Sequence, residues 1–116
     1  MTISEAVHQQ TWVDVAAVDE LTPDRGVAAL VGGRQVAIFL VGDGQVFAID
    51  NLDPFSGAQV LSRGIVGDRG GTPKVASPMY KQSFDLRTGR CLDDDGVALA
   101  SHPVRVAAGR VEVQVT

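Results

Sequence analysis

The chain has 116 residues and a mass of 12.2 kDa, the usual size of one domain with one hydrophobic core. Hydrophobic residues make up 45% and charged residues 21% of it, which excludes disorder over most of its length. Ten Lys and Arg against fourteen Asp and Glu give a net charge of -4, which argues against a nucleic-acid partner.

The first ten residues are polar and lack the apolar segment of a signal peptide, so we expect residues 1–10 to form a tail outside the domain. The longest charge-free apolar run, residues 35–42, is far shorter than the ~20 residues needed to cross a bilayer. Cys91 is the only cysteine, which excludes an intrachain disulfide and favours a reducing compartment. These features predict a cytoplasmic protein in which Cys91 is a small buried side chain.

Eighteen valines and thirteen glycines predict an all-β protein in which strands alternate with tight turns. A period-2 alternation predicts a first strand, apolar runs separated by glycines predict a three-stranded meander, and a second alternation predicts a closing hairpin. The predicted strands are 11–15, then 27–31, 35–41 and 45–49, then 104–106 and 111–115. We therefore expect residues 11–49 and 96–116 to form the basal β frame of a single domain over 11–116.

The middle of the chain, residues 50–95, is rich in Gly, Pro, Asp and Ser and is expected to hold any functional site. Within it, residues 83–86 and 90–92 predict a short hairpin, whereas residues 64–73 carry four glycines and predict a long loop. The acidic run 93–95 predicts a solvated turn rather than a metal site.

Side chains suited to acid–base or nucleophilic catalysis are few. The only histidines are His8, in the polar tail, and His102, which precedes a proline and is interpreted as structural or solvated. Asp50 and Asp53 flank an asparagine and a proline and are interpreted as turn formers. A zinc or iron site needs about four Cys and His ligands, and the chain has three, which are scattered. The sequence therefore predicts no catalytic residues and no soft-ligand metal site.

Two segments of the middle region resemble the cluster-binding loops of Rieske iron–sulfur domains. Residues 51–60, NLDPFSGAQV, follow that family's first loop, N-x-C-P-H-x-G-A-x-L, and residues 77–89, SPMYKQSFDLRTG, follow its second, C-P-x-H-G-x-x-F-D-L-x-T-G. The resemblance implies a Rieske-like antiparallel β-sandwich or barrel, with residues 50–95 as a small, loop-rich cluster-binding subdomain.

All four ligand positions of that pattern are changed. Asp53 and Phe55 stand where the first loop has its Cys and His, and Ser77 and Tyr80 stand where the second loop has them. A [2Fe–2S] cluster of this type needs thiolate and imidazole donors. We therefore expect a degenerate site without metal, in which the two aromatic rings fill the volume of the cluster.

In finer detail the chain is similar to the small subunits of the cytoplasmic, NAD(P)H-dependent assimilatory nitrite reductases. The segments DPFSGA, LSRGIVGD and SPMYKQ carry that similarity. It implies a non-catalytic chain that supports the reduction of nitrite to ammonium by binding a large subunit. Siroheme, FAD, iron–sulfur clusters and the NAD(P)H site would all lie on that large subunit, and this chain would hold no cofactor.

The same resemblance places the partner interface around the two loops. The expected contact residues are Ser56, Arg63, Arg69, Lys74, Lys81 and Gln82, since basic groups on an otherwise acidic protein can guide docking onto an acidic surface. Two alternatives remain at this point: a regulatory or structural Rieske-like module of another oxidoreductase, and a Rieske-type electron carrier.

Overall fold

The structure is a computed structural model that describes residues 12–42 and 44–114. The predicted all-β fold is confirmed. The ten strands are β1 (Val13–Ala17), β2 (Gly26–Val31), β3 (Arg34–Val41), β4 (Gln45–Asp50), β5 (Ile65–Arg69), β6 (Thr72–Ala76), β7 (Ser83–Asp85), β8 (Ser101–His102), β9 (Val104–Ala107) and β10 (Arg110–Val113). Short 3-10 turns at Val18–Glu20 and Leu61–Arg63 are the helical segments of the described residues.

The strands form three antiparallel sheets. The first has the order β1-β10-β9 and joins the two ends of the described chain, the second has the order β2-β3-β4-β8, and the third is the small sheet β5-β6-β7. The strands of the third sheet all lie between residues 65 and 85, so the part of the chain expected to hold the site has a sheet of its own.

Strand β3 is the structural centre because both of its faces are buried. Val36 and Ile38 point into a core shared with the first sheet, whereas Ala37 and Phe39 point into a core shared with the third sheet. Successive side chains of a strand point to opposite faces, and a strand covered on both sides is apolar at every position. The continuous run VAIFLV in β3 is therefore the sequence signature of a strand between two cores.

The meander was predicted correctly to within one residue at each strand end. The predicted first strand is shifted, since β1 runs Val13–Ala17, and Thr11 lies outside the described residues. The short hairpin at 83–92 is confirmed in simpler form, as strand β7 and a single bridge between Phe84 and Cys91. The predicted closing strand 111–115 ends earlier in the structure, at Val113, and the tail 1–10 and Val115 lie outside the described residues.

The predicted long loop at Gly64–Pro73 is wrong. Strands β5 and β6 occupy this segment and pair from Ile65↔Ala76 to Arg69↔Thr72. Gly70 and Gly71 connect them with φ values of 60° and 92°, the positive-φ pair that a two-residue hairpin turn requires. Two of the four glycines of this segment, Gly70 and Gly71, are thus the turn of a hairpin, and Gly67 lies within β5.

A search of the described residues for membrane-spanning helices found none long and apolar enough to cross a bilayer.

Candidate functional site

Two loops meet at the end of the small sheet. The first loop, residues 51–60, follows β4, and the second loop, residues 77–82, connects β6 to β7. These are the two segments that the sequence singled out. We refer to them as loop 1 and loop 2.

A buried hydrogen bond joins the two loops. The hydroxyl of Ser77 donates to Oδ2 of Asp53 at 2.5 Å, and both residues are almost fully buried. Oδ1 of the same carboxylate accepts the backbone N–H of Phe55 at 2.8 Å, which is the turn-forming contact predicted for Asp53. The hydroxyl of Ser77 also accepts the backbone N–H of Met79 at 3.2 Å. Two of the positions that carry cluster ligands in the Rieske pattern, Asp53 and Ser77, are therefore joined by a hydrogen bond in this chain.

The two aromatic residues behave differently from each other. Phe55 is partly buried and packs against Phe84 of the core, with ring centroids 6.2 Å apart. Tyr80 is 60% exposed, so the expectation that it fills the volume of the cluster is wrong. The next residue, Lys81, adopts a left-handed φ of 69°, so the chain turns directly after Tyr80. The ring of Tyr80 is thus available at the surface.

Asn51 organises loop 1, a role that the sequence analysis missed. Its side chain is buried and bonds in two directions, because Nδ2 donates to Gln35 at 3.1 Å and Oδ1 accepts the N–H of Ser62 at 2.7 Å. Its backbone carbonyl also accepts the N–H of Leu61. Asn51 is the N of the N-x-C pattern, so its place in that pattern was the available signal.

The FDLRTG segment after loop 2 forms a tight, internally bonded turn. The carboxylate of Asp85 accepts the N–H of Arg87 at 2.8 Å, and its backbone carbonyl accepts the N–H of Gly89 at 2.7 Å. Gly89 has a φ of 82°, and its N–H and C=O face Asp85 and Leu99. This turn positions Phe84 and Leu86 in the core beneath the two loops.

The residues present do not fit an iron–sulfur cluster of the Rieske type. The four ligand positions offer a carboxylate already bonded to a hydroxyl, a phenyl ring and an exposed phenol. Cys91 is buried in the core, as predicted, and His102 lies in another sheet. No group of three or more His, Cys, Asp or Glu within the described residues could hold a metal ion. The donor set thus lacks the thiolate and imidazole pairs that such a cluster needs.

Asp50 and His102 are partners across the second sheet. His102 is buried in strand β8, and its Nε2 lies 2.8 Å from Oδ1 of Asp50 at the end of β4. Arg34 lies 3.7 Å from the same oxygen. The predicted turn role of Asp50 is wrong, since its carboxylate faces side chains from two other strands. The structural interpretation of His102 is confirmed, but in a strand rather than in a loop.

The acidic run 93–95 is exposed, as predicted, yet one of its members contacts the small sheet. The carboxylate of Asp93 accepts the N–H of Ser83 at 2.8 Å and pairs with Arg69 at 3.2 Å. The backbone N–H of Ser83 is the main reason that the pKa of Asp93 lies below its usual range, and Arg69 lowers it further.

This lowered pKa predicts a pH-dependent contribution of Asp93. A carboxyl with a depressed folded-state pKa stabilises the fold above its unfolded-state pKa and loses that contribution as the pH falls through the folded-state value. We expect Asp93→Asn to lower the thermal midpoint modestly at neutral pH, because the group is exposed, and the difference from wild type to vanish in acid. Asp95→Asn makes the same charge change in the same exposed run, away from Ser83 and Arg69, and is the control. An Asp93→Asn difference that grows in acid would contradict the assignment.

The six expected interface residues are not gathered on one face. Ser56, Lys81 and Gln82 lie on the two loops, and Oε1 of Gln82 is buried without a hydrogen-bond partner among the described residues. Arg69 lies at the opposite end of the β5–β6 hairpin, where it pairs with Asp93. Lys74 lies within β6 and donates to Ser83 at 3.3 Å. Arg63 ends the 3-10 turn beside the small sheet.

The comparison with protein families agrees with this geometry. Residues 11–114 match the family described as "Rieske-like [2Fe-2S] domain". Three sheets, two loops at the end of the small sheet and a match over nearly the whole chain define the class of the protein: the chain belongs to the Rieske-like domains.

Comparison with individual relatives shows which group of Rieske-like proteins the chain belongs to. The nitrite reductase (NADH) small subunit of Escherichia coli strain K12 is 42% identical over 104 residues, which are 89% of this chain and 96% of that protein. A crystal structure from Mycobacterium tuberculosis, assigned as an NADH-dependent nitrite reductase small subunit, superposes with a TM-score of 0.89 at 51% identity, covering 91% of this chain and 96% of that one. The chain belongs to the family of nitrite reductase small subunits.

One relative carries the same domain inside a longer chain. The nitrite reductase (NAD(P)H) large subunit of Klebsiella oxytoca is 45% identical over 108 residues, which are 93% of this chain but 11% of that protein. The chain thus spans about a ninth of this relative and almost the whole of the Escherichia coli one.

Proposed function

We propose that the chain is the non-catalytic small subunit of a cytoplasmic nitrite reductase that uses NAD(P)H. It binds the large chain of that enzyme and supports the reduction of nitrite to ammonium for nitrogen assimilation. The redox groups, namely siroheme, FAD and iron–sulfur clusters, and the NAD(P)H site are carried by the large chain.

The observation that carries this proposal is the occurrence of one domain in two arrangements. It matches nearly the full length of a separate small subunit, and it matches a small part of a nitrite reductase large subunit. In the Klebsiella oxytoca protein this domain is covalently part of the large chain, so it is held close to the rest of that chain. The separate chain achieves the same proximity by binding.

The chemistry of the loops supports a non-redox role for this chain. Asp53 and Ser77 satisfy each other with a hydrogen bond of 2.5 Å, so both are occupied in the absence of any cofactor. A buried carboxylate acts as a stable structural group when its oxygens accept hydrogen bonds, as both do here. The two loops are therefore held together by a buried hydrogen bond between Ser77 and Asp53.

The surface of the two loops is suited to binding a protein. Leu52 of loop 1 is 40% exposed, and Met79 and Tyr80 of loop 2 are 48% and 60% exposed. Aromatic residues and Met are enriched at the centres of protein interfaces, and a tyrosine contributes contact area at a small cost in side-chain entropy. We assign these three side chains, with Lys81 and Ser56 at the rim, to the contact with the large chain.

Reconstitution from purified chains tests the proposal. We expect the isolated small chain to be colourless and free of iron, to co-elute with the large chain in size-exclusion chromatography, and to raise nitrite-dependent NAD(P)H oxidation. Tyr80→Ala is expected to weaken binding about tenfold, as for a central aromatic contact. Val106→Ala, which removes a 49% exposed apolar side chain from the first sheet, is expected to bind like wild type.

Three results would contradict the proposal. Stoichiometric iron in the isolated chain would show a redox centre on it. Failure of the two purified chains to bind each other would remove the subunit role. Equal weakening by Tyr80→Ala and Val106→Ala would remove the assignment of the loops.

A further inference from the structure

A cleft lies between the second and third sheets, beside the two loops. Its cavity has a volume of about 460 Å³ and is lined by Asp24–Gly26 on one side and by Ser62–Val66 on the other. A second cavity of about 290 Å³ continues it along β5 and shares Asp24 and Val66 as lining residues. Together they form a groove that follows the outer edge of β5.

Two arginines line this cleft, one on each side, and the segments that carry them are joined by close backbone packing. A Cβ atom on Gly26 would collide with the carbonyl oxygen of Ser62, so the backbones of these two residues touch. Arg25 directly precedes Gly26, and Arg63 directly follows Ser62. The contact therefore fixes the two arginine backbones near each other, and both residues line the cavity.

These arginines differ from most of the others in lacking an acidic partner. Five of the eight arginines form ion pairs with Asp or Glu. Neither Arg25 nor Arg63 has an ion pair with a residue of the described ranges. Asp24 lines the same cleft and Asp68 lines its continuation along β5; their carboxylates accept the N–H groups of Gly42 at 3.3 Å and of Gly71 at 3.0 Å, and neither pairs with Arg25 or Arg63. On a protein with a net charge of -4, these two arginine side chains at the cleft leave guanidinium donors available to carboxylates.

The groove also offers an apolar contact and an open strand edge. Ile65 is 75% exposed at the end of the cleft next to Arg63. Strand β5 is the edge of its sheet, so main-chain groups on its outer side have no strand partner among the described residues. An extended segment can add to such an edge through main-chain hydrogen bonds, while side-chain pockets supply the specificity.

We propose that this groove binds an extended acidic segment of the nitrite reductase large chain, with carboxylates on Arg25 and Arg63 and an apolar side chain on Ile65. The inference rests on the proposed function, because it names the chemistry of a second contact with the same partner. The groove adjoins loop 1 through the hydrogen bond between Asn51 and Ser62, so one partner can cover both surfaces.

The test compares charge-reversal variants for binding to the purified large chain. We expect Arg25→Glu/Arg63→Glu to raise the dissociation constant about tenfold or more, because reversed charges repel an acidic segment. The single variants Arg25→Glu and Arg63→Glu are each expected to raise it about threefold or more. Arg90→Glu is the control that matches each single variant in charge change, since Arg90 is also exposed and has no ion pair with the described residues but lies outside the groove. It is expected to bind within about twofold of wild type. Circular dichroism and thermal unfolding of each variant establish that it is folded.

Two further measurements distinguish the contribution of the arginine charges from that of the apolar contact. Wild-type binding is expected to weaken with rising salt, and the double variant is expected to lose most of that dependence. Ile65→Ser is expected to weaken binding without changing the salt dependence, because it removes an apolar contact and no charge.

The outcomes distinguish binding at the groove from binding of the large chain in general. Equal affinity of wild type and Arg25→Glu/Arg63→Glu would overturn the groove while leaving the subunit role intact. Equal loss of affinity in Arg25→Glu, Arg63→Glu and Arg90→Glu would also overturn it, since the effect would then come from net charge alone. No binding by wild type would overturn both the groove and the proposed function.

Discussion

Replacement of Gly89 by alanine is expected to lower the free energy of unfolding by about 3 kcal/mol or more, from two separate causes. Gly89 has a φ of 82°, which alanine adopts only with strain. In addition, a Cβ atom at this position would collide with the carbonyl oxygen of Leu99. A domain of this size has a total stability of about 5–15 kcal/mol, so the variant would be severely weakened. Urea unfolding measures the loss.

Two other glycines separate these causes. Gly33 has a φ of 80°, and a Cβ atom added to it would have no neighbour within 4 Å, so Gly33→Ala is expected to cost only the strain, about 1–2 kcal/mol. Gly42 has neither a positive φ nor a neighbour within 4 Å, so Gly42→Ala is expected to be nearly neutral. Equal losses in Gly89→Ala and Gly33→Ala would show that the close approach to Leu99 contributes nothing.

Removal of the cross-link between the loops is the second large effect that we expect. Asp53→Ala leaves the buried Ser77 hydroxyl and the N–H of Phe55 without their acceptor, which costs about 2–4 kcal/mol. The same variant frees loop 2 from loop 1, so binding to the large chain should weaken even where the domain stays folded. Urea unfolding and a binding titration on the same sample measure the two effects.

A double-mutant cycle isolates the contribution of this hydrogen bond. Ser77→Ala and Asp53→Ala/Ser77→Ala complete the cycle, and we expect a coupling energy of about 1–3 kcal/mol because the bond involves a charged acceptor in a buried position. Ser56→Ala is the control for the unfolding measurements of the cycle, since the Ser56 hydroxyl accepts the N–H of Ala58 within loop 1. Additive losses in the cycle would contradict the role of the pair as a link between the loops.

The frame of the fold could be predicted from the sequence because its strands carry strong local signals. Glycine-separated apolar runs mark β2, β3 and β4, and the continuous run in β3 reflects two buried faces. The β5–β6 hairpin could not be recognised, since Pro73 and three glycines obscure its alternation. Pro73 is tolerated in β6 because β7 pairs with that strand only from Lys74 onward.

The two loops of the site could be located from the sequence, but the directions and contacts of their side chains could be predicted only in part. The resemblance to the Rieske loops placed Asp53 and Ser77 on two loops, and the structure brings them together. The exposure of Tyr80 was not predicted, because a large aromatic side chain at a position that holds a cluster ligand in Rieske domains was expected to be buried. The contact between Asp50 and His102 joins residues 52 positions apart, a distance over which local patterns carry no information.

The pairing of β1 with β10 brings the two ends of the described chain side by side, with Val13 opposite Val113. A longer polypeptide can therefore enter and leave the domain at nearly one point, without crossing its surface or displacing a strand. Because its two ends are adjacent, the domain can be joined to another protein through a short linker. The same fold then serves as a separate subunit in one organism and as a covalent module in another, with the effective concentration of the partner set by that linker.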